Sequence, residues 1–151
     1  MLRLNLPNYS FKIIRSGDNL KIFDQIRKKY LVLTPEEWVR QNFVRYLIEE
    51  KGYNTSLMAN EVTIKLHNTT KRCDTVVYDR YLNPLMIIEY KSPDTIITQA
   101  VFDQISRYNI RFRVPYLVVS NGLNHYCCQV DYETQTISFQ NDIPIYGDLI
   151  T

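Results

Sequence analysis

Three residues in this chain could do joint chemistry: Asp74, Glu89 and Lys91. They lie in the stretch R-C-D-T-V-V-Y-D-R-Y-L-N-P-L-M-I-I-E-Y-K, Arg72 to Lys91, where two apolar runs, Thr75–Tyr78 and Leu85–Ile88, flank a polar loop holding Asp79, Asn83 and Pro84. Such a pattern predicts two strands of a hairpin. The midpoint between Asp74 and Glu89 falls between Tyr81 and Leu82, so an antiparallel pair folded there sets the two acids opposite each other. Side chains alternate along a strand, so Glu89 and Lys91 share a face. Two carboxylates about 4 Å apart repel by about 4 kcal/mol at an effective dielectric near 20. Lys91 offsets part of this; a divalent cation offsets more, and all-oxygen ligation suits Mg²⁺ or Mn²⁺. The plainer alternative is a surface hairpin with an ordinary Glu–Lys cross-strand pair.

Elements on either side must position these groups. Thr34-Pro35-Glu36-Glu37 predicts a helix start, with Thr34 as cap, Pro35 in the first turn and Glu37 closing a capping box. The helix should run to about Lys51 and stop at Gly52. Val39, Phe43, Tyr46 and Leu47 form its apolar stripe. Projection at 100° per residue puts Glu36 and Arg40 on the same buried side, so that pair either satisfies itself or faces a pocket. Val62, Ile64 and Leu66 alternate with Glu61, Thr63 and Lys65 as a half-buried strand. Lys71 and Arg72 precede Asp74; Arg72, two residues away, shares its face and either contacts a phosphate or balances the acid.

Beyond Ser92-Pro93-Asp94 a second helix is expected from about Ile96 to Asn109, with Val101, Phe102 and Ile105 as its stripe. Gln104 and Tyr108, four apart, sit at the stripe's edge, suited to reaching into a cleft. Pro115–Ser120 reads as a buried strand, Asn121-Gly122 as a turn, and His125–Tyr132 and Thr136–Gln140 as two more strands. Upstream, Phe11–Arg15 and Leu20–Phe23 around Ser16-Gly17-Asp18-Asn19 predict a small hairpin. The basic triplet Arg27-Lys28-Lys29 follows, then the run Tyr30–Leu33.

Composition sets the frame. With 151 residues, 45% hydrophobic and 23% charged, the chain reads as one globular domain, 1–33 an extended or hairpin arm and 34–151 the core. A net charge of +2 is compatible with nucleic acid without demanding it. The three cysteines, Cys73, Cys127 and Cys128, form no C-x-x-C. They favour a reducing, cytoplasmic setting without a disulfide framework. The start lacks a signal peptide's apolar region, and no apolar run is long enough to span a membrane. His67 and His125 are isolated and receive no catalytic role.

The order helix, three antiparallel strands, crossover helix, strand, with D-x14-E-x-K on the second and third strands, resembles the PD-(D/E)xK nuclease superfamily. Closer still, T-P-E-E-W-V-R-Q (Thr34–Gln41), Lys71–Asp74, I-E-Y-K-S-P (Ile88–Pro93) and V-F-D-Q-I-S-R-Y (Val101–Tyr108) look like the N-terminal domain of type I restriction enzyme R subunits. The likeness runs from about Phe23 to Tyr146. It implies a restriction-endonuclease-like αβββαβ core in the α/β class, with a central mixed sheet, an N-terminal hairpin and C-terminal strands. By the same resemblance Asp74 and Glu89 would bind Mg²⁺ or Mn²⁺, and Lys91 would position or deprotonate the attacking water. Gln104 and Tyr108 match the Q-x-x-x-Y element of RecB-type nucleases, and a first-helix glutamate, Glu36 or Glu37, would complete the site, helical phase favouring Glu36.

DNA is the implied substrate, gripped at phosphates by Arg40, Lys71, Arg72 or Arg107, with specificity or translocation left to a partner subunit. Cys73 departs from the superfamily's proline. Type I R subunits carry an ATP-driven motor, whereas this chain has four glycines, Gly17, Gly52, Gly122 and Gly147, and no G-x-x-x-x-G-K. A catalytically silent nucleic-acid-binding or protein-interaction module on the same fold is the alternative, and an RNA-directed phosphodiesterase a third reading.

Overall fold

Helix α1 spans Pro35–Lys51 in a computed structural model that describes residues 1–151, Leu66 by its backbone alone. The outward or inward sense expected of the Leu66 side chain therefore lies outside the described residues. Thr34 Oγ1 accepts the Glu37 N–H at 3.0 Å, and Pro35 stands where its missing N–H leaves nothing unpaired. Gly52 ends the helix in the left-handed conformation, φ +74°, its N–H returning to Leu47 O. Val39, Phe43, Val44 and Leu47 are buried, while Tyr46 is only half-buried.

Upstream, β1 (Ile13–Ser16), β2 (Asn19–Asp24) and β3 (Lys29–Val32) make a three-stranded antiparallel sheet. The expected hairpin is present, and the run after the basic triplet adds a third strand. The turn that brings it back is built on Asp24, whose fully buried carboxylate accepts the backbone N–H groups of Ile26 (2.7 Å) and Arg27 (3.0 Å). Burial opposes its charge, yet bonds from Asn60 and Arg27 outweigh this and hold its carboxyl below the usual range.

The main sheet orders β4 (Met58–Leu66), β5 (Thr69–Tyr78), β6 (Pro84–Tyr90), β7 (Tyr116–Ser120), β8 (His125–Asp131) and β9 (Thr136–Gln140) side by side. All neighbours are antiparallel except β6 and β7, which are parallel and need a crossover. Helix α2 (Gln99–Ile110) supplies it. It starts three residues later than the apolar pattern suggests, because Thr98 caps it through Val101 N–H. A short α3 (Tyr146–Leu149) follows.

Alternation along the central strands divides the core. Val77, Met86, Ile88 and Val118 pack toward α1, whereas Val76, Ile87, Leu117 and Val119 pack with Phe102 of α2. The two helices thus cover opposite faces of one sheet. All three thiols are buried and free, and burial raises each. Among the described residues no helix is long and apolar enough to cross a membrane.

Candidate active site where two strands part

β5 and β6 pair in register as far as Thr75↔Ile88. One step further the register sets Asp74 opposite Glu89, but the strands separate. The Tyr90 N–H, which faces the gap, is taken by Asp74 Oδ2 at 2.8 Å, so no main-chain donor is orphaned. Asp74 and Glu89 thereby stand together at the mouth of a split. Lys91 continues beyond it, its own N–H bonded to Ser120 O on β7 at 2.9 Å.

A slip in alternation completes the cluster. Cys73 packs on the α2 side of the sheet and so does Val76, an odd spacing that a regular strand forbids. The irregularity centres on Asp74, which faces Glu61 of β4, a non-glycine residue held at φ +54° inside a strand. As a result Lys71, not Arg72, enters the α2-side cleft. Lys71 Nζ bonds to Glu89 Oε1 and lies 5.4 Å from the centre of the Tyr108 ring. Lys71, Glu89, Lys91, Gln104 and Tyr108 line one cleft of about 340 Å³. The placement expected of Gln104 and Tyr108 is the one observed: both are exposed on α2 and turned into this cleft.

The electrostatics follow from this crowding. The Glu89 side chain is only 12% exposed. Burial first, then the charge of Asp74, push its carboxyl up to about 7 despite the ammonium of Lys71. Burial works against the Lys71 charge, but the bond to Glu89 outweighs it and raises that ammonium. Two carboxyl groups crowded together in a largely buried setting are a donor set that fits a small hard cation. Among the described residues no group of three or more His, Cys, Asp or Glu gathers. The protein's share of such a shell would be Asp74 and Glu89, as suits Mg²⁺, which keeps several waters.

Four expectations from the sequence need correction. Glu36 is exposed and Glu37 is the buried acid, because Arg27 (3.1 Å) and Arg40 (3.2 Å) draw Glu37 inward and Gln41 donates to it at 2.9 Å. Both glutamates belong to α1, which packs on the face of the sheet opposite the cleft. Arg40 is buried and unavailable to a phosphate. Its Nη1 donates to Asp74 O at 2.7 Å and its Nη2 to Glu61 Oε1 at 2.5 Å, while its Nε is buried near Glu37 without being aimed at an acceptor. Arg72 neither shares the face of Asp74 nor balances it; it bonds to Glu61 at 2.9 Å. Arg107 lines a separate groove with Ile137 and Phe139.

Glu61 stands beside the site through its bonds from Arg40 and Arg72. No pattern in the sequence marks a glutamate that will adopt a left-handed backbone. Of the histidines, His125 is tied to Ser120 Oγ and Asn5 O, away from the carboxylates.

The sequence profile described as type I restriction enzyme R protein N terminus matches residues 35–144. No curated protein matches the chain. Among solved structures, a fragment described as an HsdR subunit of a type I restriction enzyme from Vibrio vulnificus YJ016 shares the fold, with a TM-score of 0.53 at 17% identity. The match covers 78% of this chain and 25% of that one, so the chain spans about a quarter of that structure's length.

Proposed function

The chain belongs to the family of type I restriction enzyme R protein N termini, and on that footing we propose that it hydrolyses DNA phosphodiesters in a divalent-metal-dependent reaction at the Asp74–Glu89–Lys91 cleft. The observation that carries the reading is the pair of acids brought together where β5 and β6 part, with Lys71 and Lys91 lining the same cleft as Glu89.

Asp74 and Glu89 would hold Mg²⁺ or Mn²⁺, which when bound supplies polarisation of a phosphoryl oxygen and a lowered pKa for water. Asp74 is presented to that task by two fixed main-chain bonds, Tyr90 N–H to its carboxylate and Arg40 to its carbonyl. Lys91 has no ion-pair partner among the described residues. Its ammonium is free to add positive charge where the transition state gains negative charge and to hold or pass a proton at the attacking water. Gln104 and Tyr108 form the opposite wall and would orient the nucleophile and the backbone of the strand. Contacts of this kind carry no base sequence, so site choice and translocation would come from partner subunits.

Incubation of the protein with supercoiled plasmid, linear DNA and RNA, each with Mg²⁺, Mn²⁺ or chelator, tests the proposal. Metal-dependent DNA cleavage lost in Asp74→Ala and in Lys91→Ala is the expected result. Salt-sensitive DNA binding without cleavage would instead mark a silent binding module, and cleavage of RNA alone would redirect the substrate assignment.

A further inference from the structure

We propose that Lys71 is an exchangeable counter-ion, bonded to Glu89 in the metal-free protein, displaced when a divalent cation arrives, and then available to a DNA phosphate. This rests on the reading of the cleft as a metal-dependent nuclease site. Of the two ammonium groups in the cleft, only Lys71 is paired with Glu89; Lys91 forms no ion pair among the described residues. Lys71 therefore satisfies the Glu89 oxygen Oε1 that a metal would compete for.

Charge balance gives the exchange its direction. Asp74, which acts on Glu89 from beside the cleft, and Glu89 against Lys71 and Lys91 make a formally neutral cluster. A dication brings two positive charges, so the ammonium nearest the carboxylates becomes the surplus one, and the anion able to take it is a phosphodiester. Lysine is suited to such a move, being a point charge on a flexible four-carbon stem without the fixed fork of arginine. Its path is also furnished. Lys71 Nζ already lies 5.4 Å from the centre of the Tyr108 ring, an aromatic face that can hold an ammonium which has left its carboxylate. The slip of β5 at Asp74 is what puts Lys71 there; in a regular strand it would fall on the other face of the sheet from Asp74.

Mn²⁺ affinity at pH 8, read from the electron-spin signal of the free ion, tests this in the wild-type chain, Lys71→Met and Lys71→Arg. Removing the competitor should tighten Mn²⁺ binding on the order of tenfold in Lys71→Met. The same variant should bind a short duplex more weakly in Ca²⁺, measured by fluorescence anisotropy, while Lys71→Arg, whose fork can hold the Glu89 carboxylate at two points, should bind Mn²⁺ no more tightly than wild type. Equal or weaker Mn²⁺ binding by a Lys71→Met protein with an unchanged melting curve would overturn the exchange. Should that variant not fold, the ammonium resonance of Lys71 in ¹⁵N-lysine-labelled wild type decides. It must shift on saturation with Mg²⁺, and a resonance that stays put refutes displacement. Absence of Mn²⁺ binding by wild type and variant alike would strike instead at the metal-site reading, and with it at the exchange.

Discussion

Arg40 reaches from the α1 face of the sheet to the main-chain carbonyl of Asp74, 2.7 Å away. The same guanidinium holds Glu61 at 2.5 Å, so one buried side chain fixes both the acid and the irregular residue opposite it. Removing one partner of a buried charge network leaves the others uncompensated. Arg40→Met should therefore cost about 3 kcal/mol of unfolding free energy, read from urea denaturation. Arg27 and Arg72 still serve Glu37 and Glu61 and keep the loss from being larger. A variant within experimental error of wild type would show that the network does not hold Asp74.

Glu89 predicts how stability varies with pH. Its folded carboxyl, pushed up to about 7, lies above its unfolded value of 4.5. The folded state then binds the extra proton between those limits. This contribution is complete below about pH 4.5 and is lost as pH rises through 7, a loss of about 3 kcal/mol. Denaturation at pH 5 and pH 8 should show that slope in wild type and a flatter one in Glu89→Gln. Parallel profiles would place the proton elsewhere.

Metal binding should be coupled to the same proton. A divalent cation at Asp74 and Glu89 favours the ionised carboxylate, so near pH 6.5 binding should release up to about one proton. Calorimetry of Mg²⁺ binding in two buffers of different ionisation enthalpy measures the number. Release should vanish at pH 8.5, where Glu89 is already ionised, and a release that persists there contradicts the assignment.

Gly122 follows the Asn121 turn at φ +86°. An added Cβ would meet Leu4 Cδ2 at 2.7 Å and Val39 Cγ2 at 3.2 Å. Val39 is fully buried against the core and cannot retreat, and the backbone conformation disfavours any side chain. Gly122→Ala should lower stability by about 1–3 kcal/mol in a thermal or urea melt. No loss would mean that the N-terminal segment shifts freely.

Much of this architecture could be read from residue patterns because local chemistry decides it. Thr34, Pro35 and Gly52 bound α1 through their own side chains and dihedrals, and no distant contact overrules them. Counting along the Arg72–Lys91 stretch put Asp74 opposite Glu89 because a ladder of Val and Ile on both strands admits one register. Gln104 and Tyr108, one turn apart, had to share a direction on α2.

What escaped depended on partners from elsewhere in the chain. The wheel of α1 ranks Glu36 as the inward acid, but Arg27, ten residues before Glu37, reverses the choice. Alternation assigns Arg72 to the side of Asp74, but β5 slips phase at Asp74, opposite the left-handed Glu61, and Lys71 takes that side instead. The third strand of the N-terminal sheet depends on Asp24, whose carboxylate finds Asn60 36 residues away.

That last contact has a wider consequence. Tyr90 donates its hydroxyl to Thr75 at 2.9 Å, Thr75 donates to Asn60 at 2.7 Å, and Asn60 donates to Asp24 at 3.0 Å. A relay of buried polar groups thus runs from between the two charged residues of the E-Y-K triplet to a turn that precedes the stretch matched by the family profile. Excising the first 33 residues to obtain a minimal domain would leave Asn60 with an unanswered amide directly behind the acids. Any engineer who trims this protein at the family boundary would be cutting into the back wall of the site.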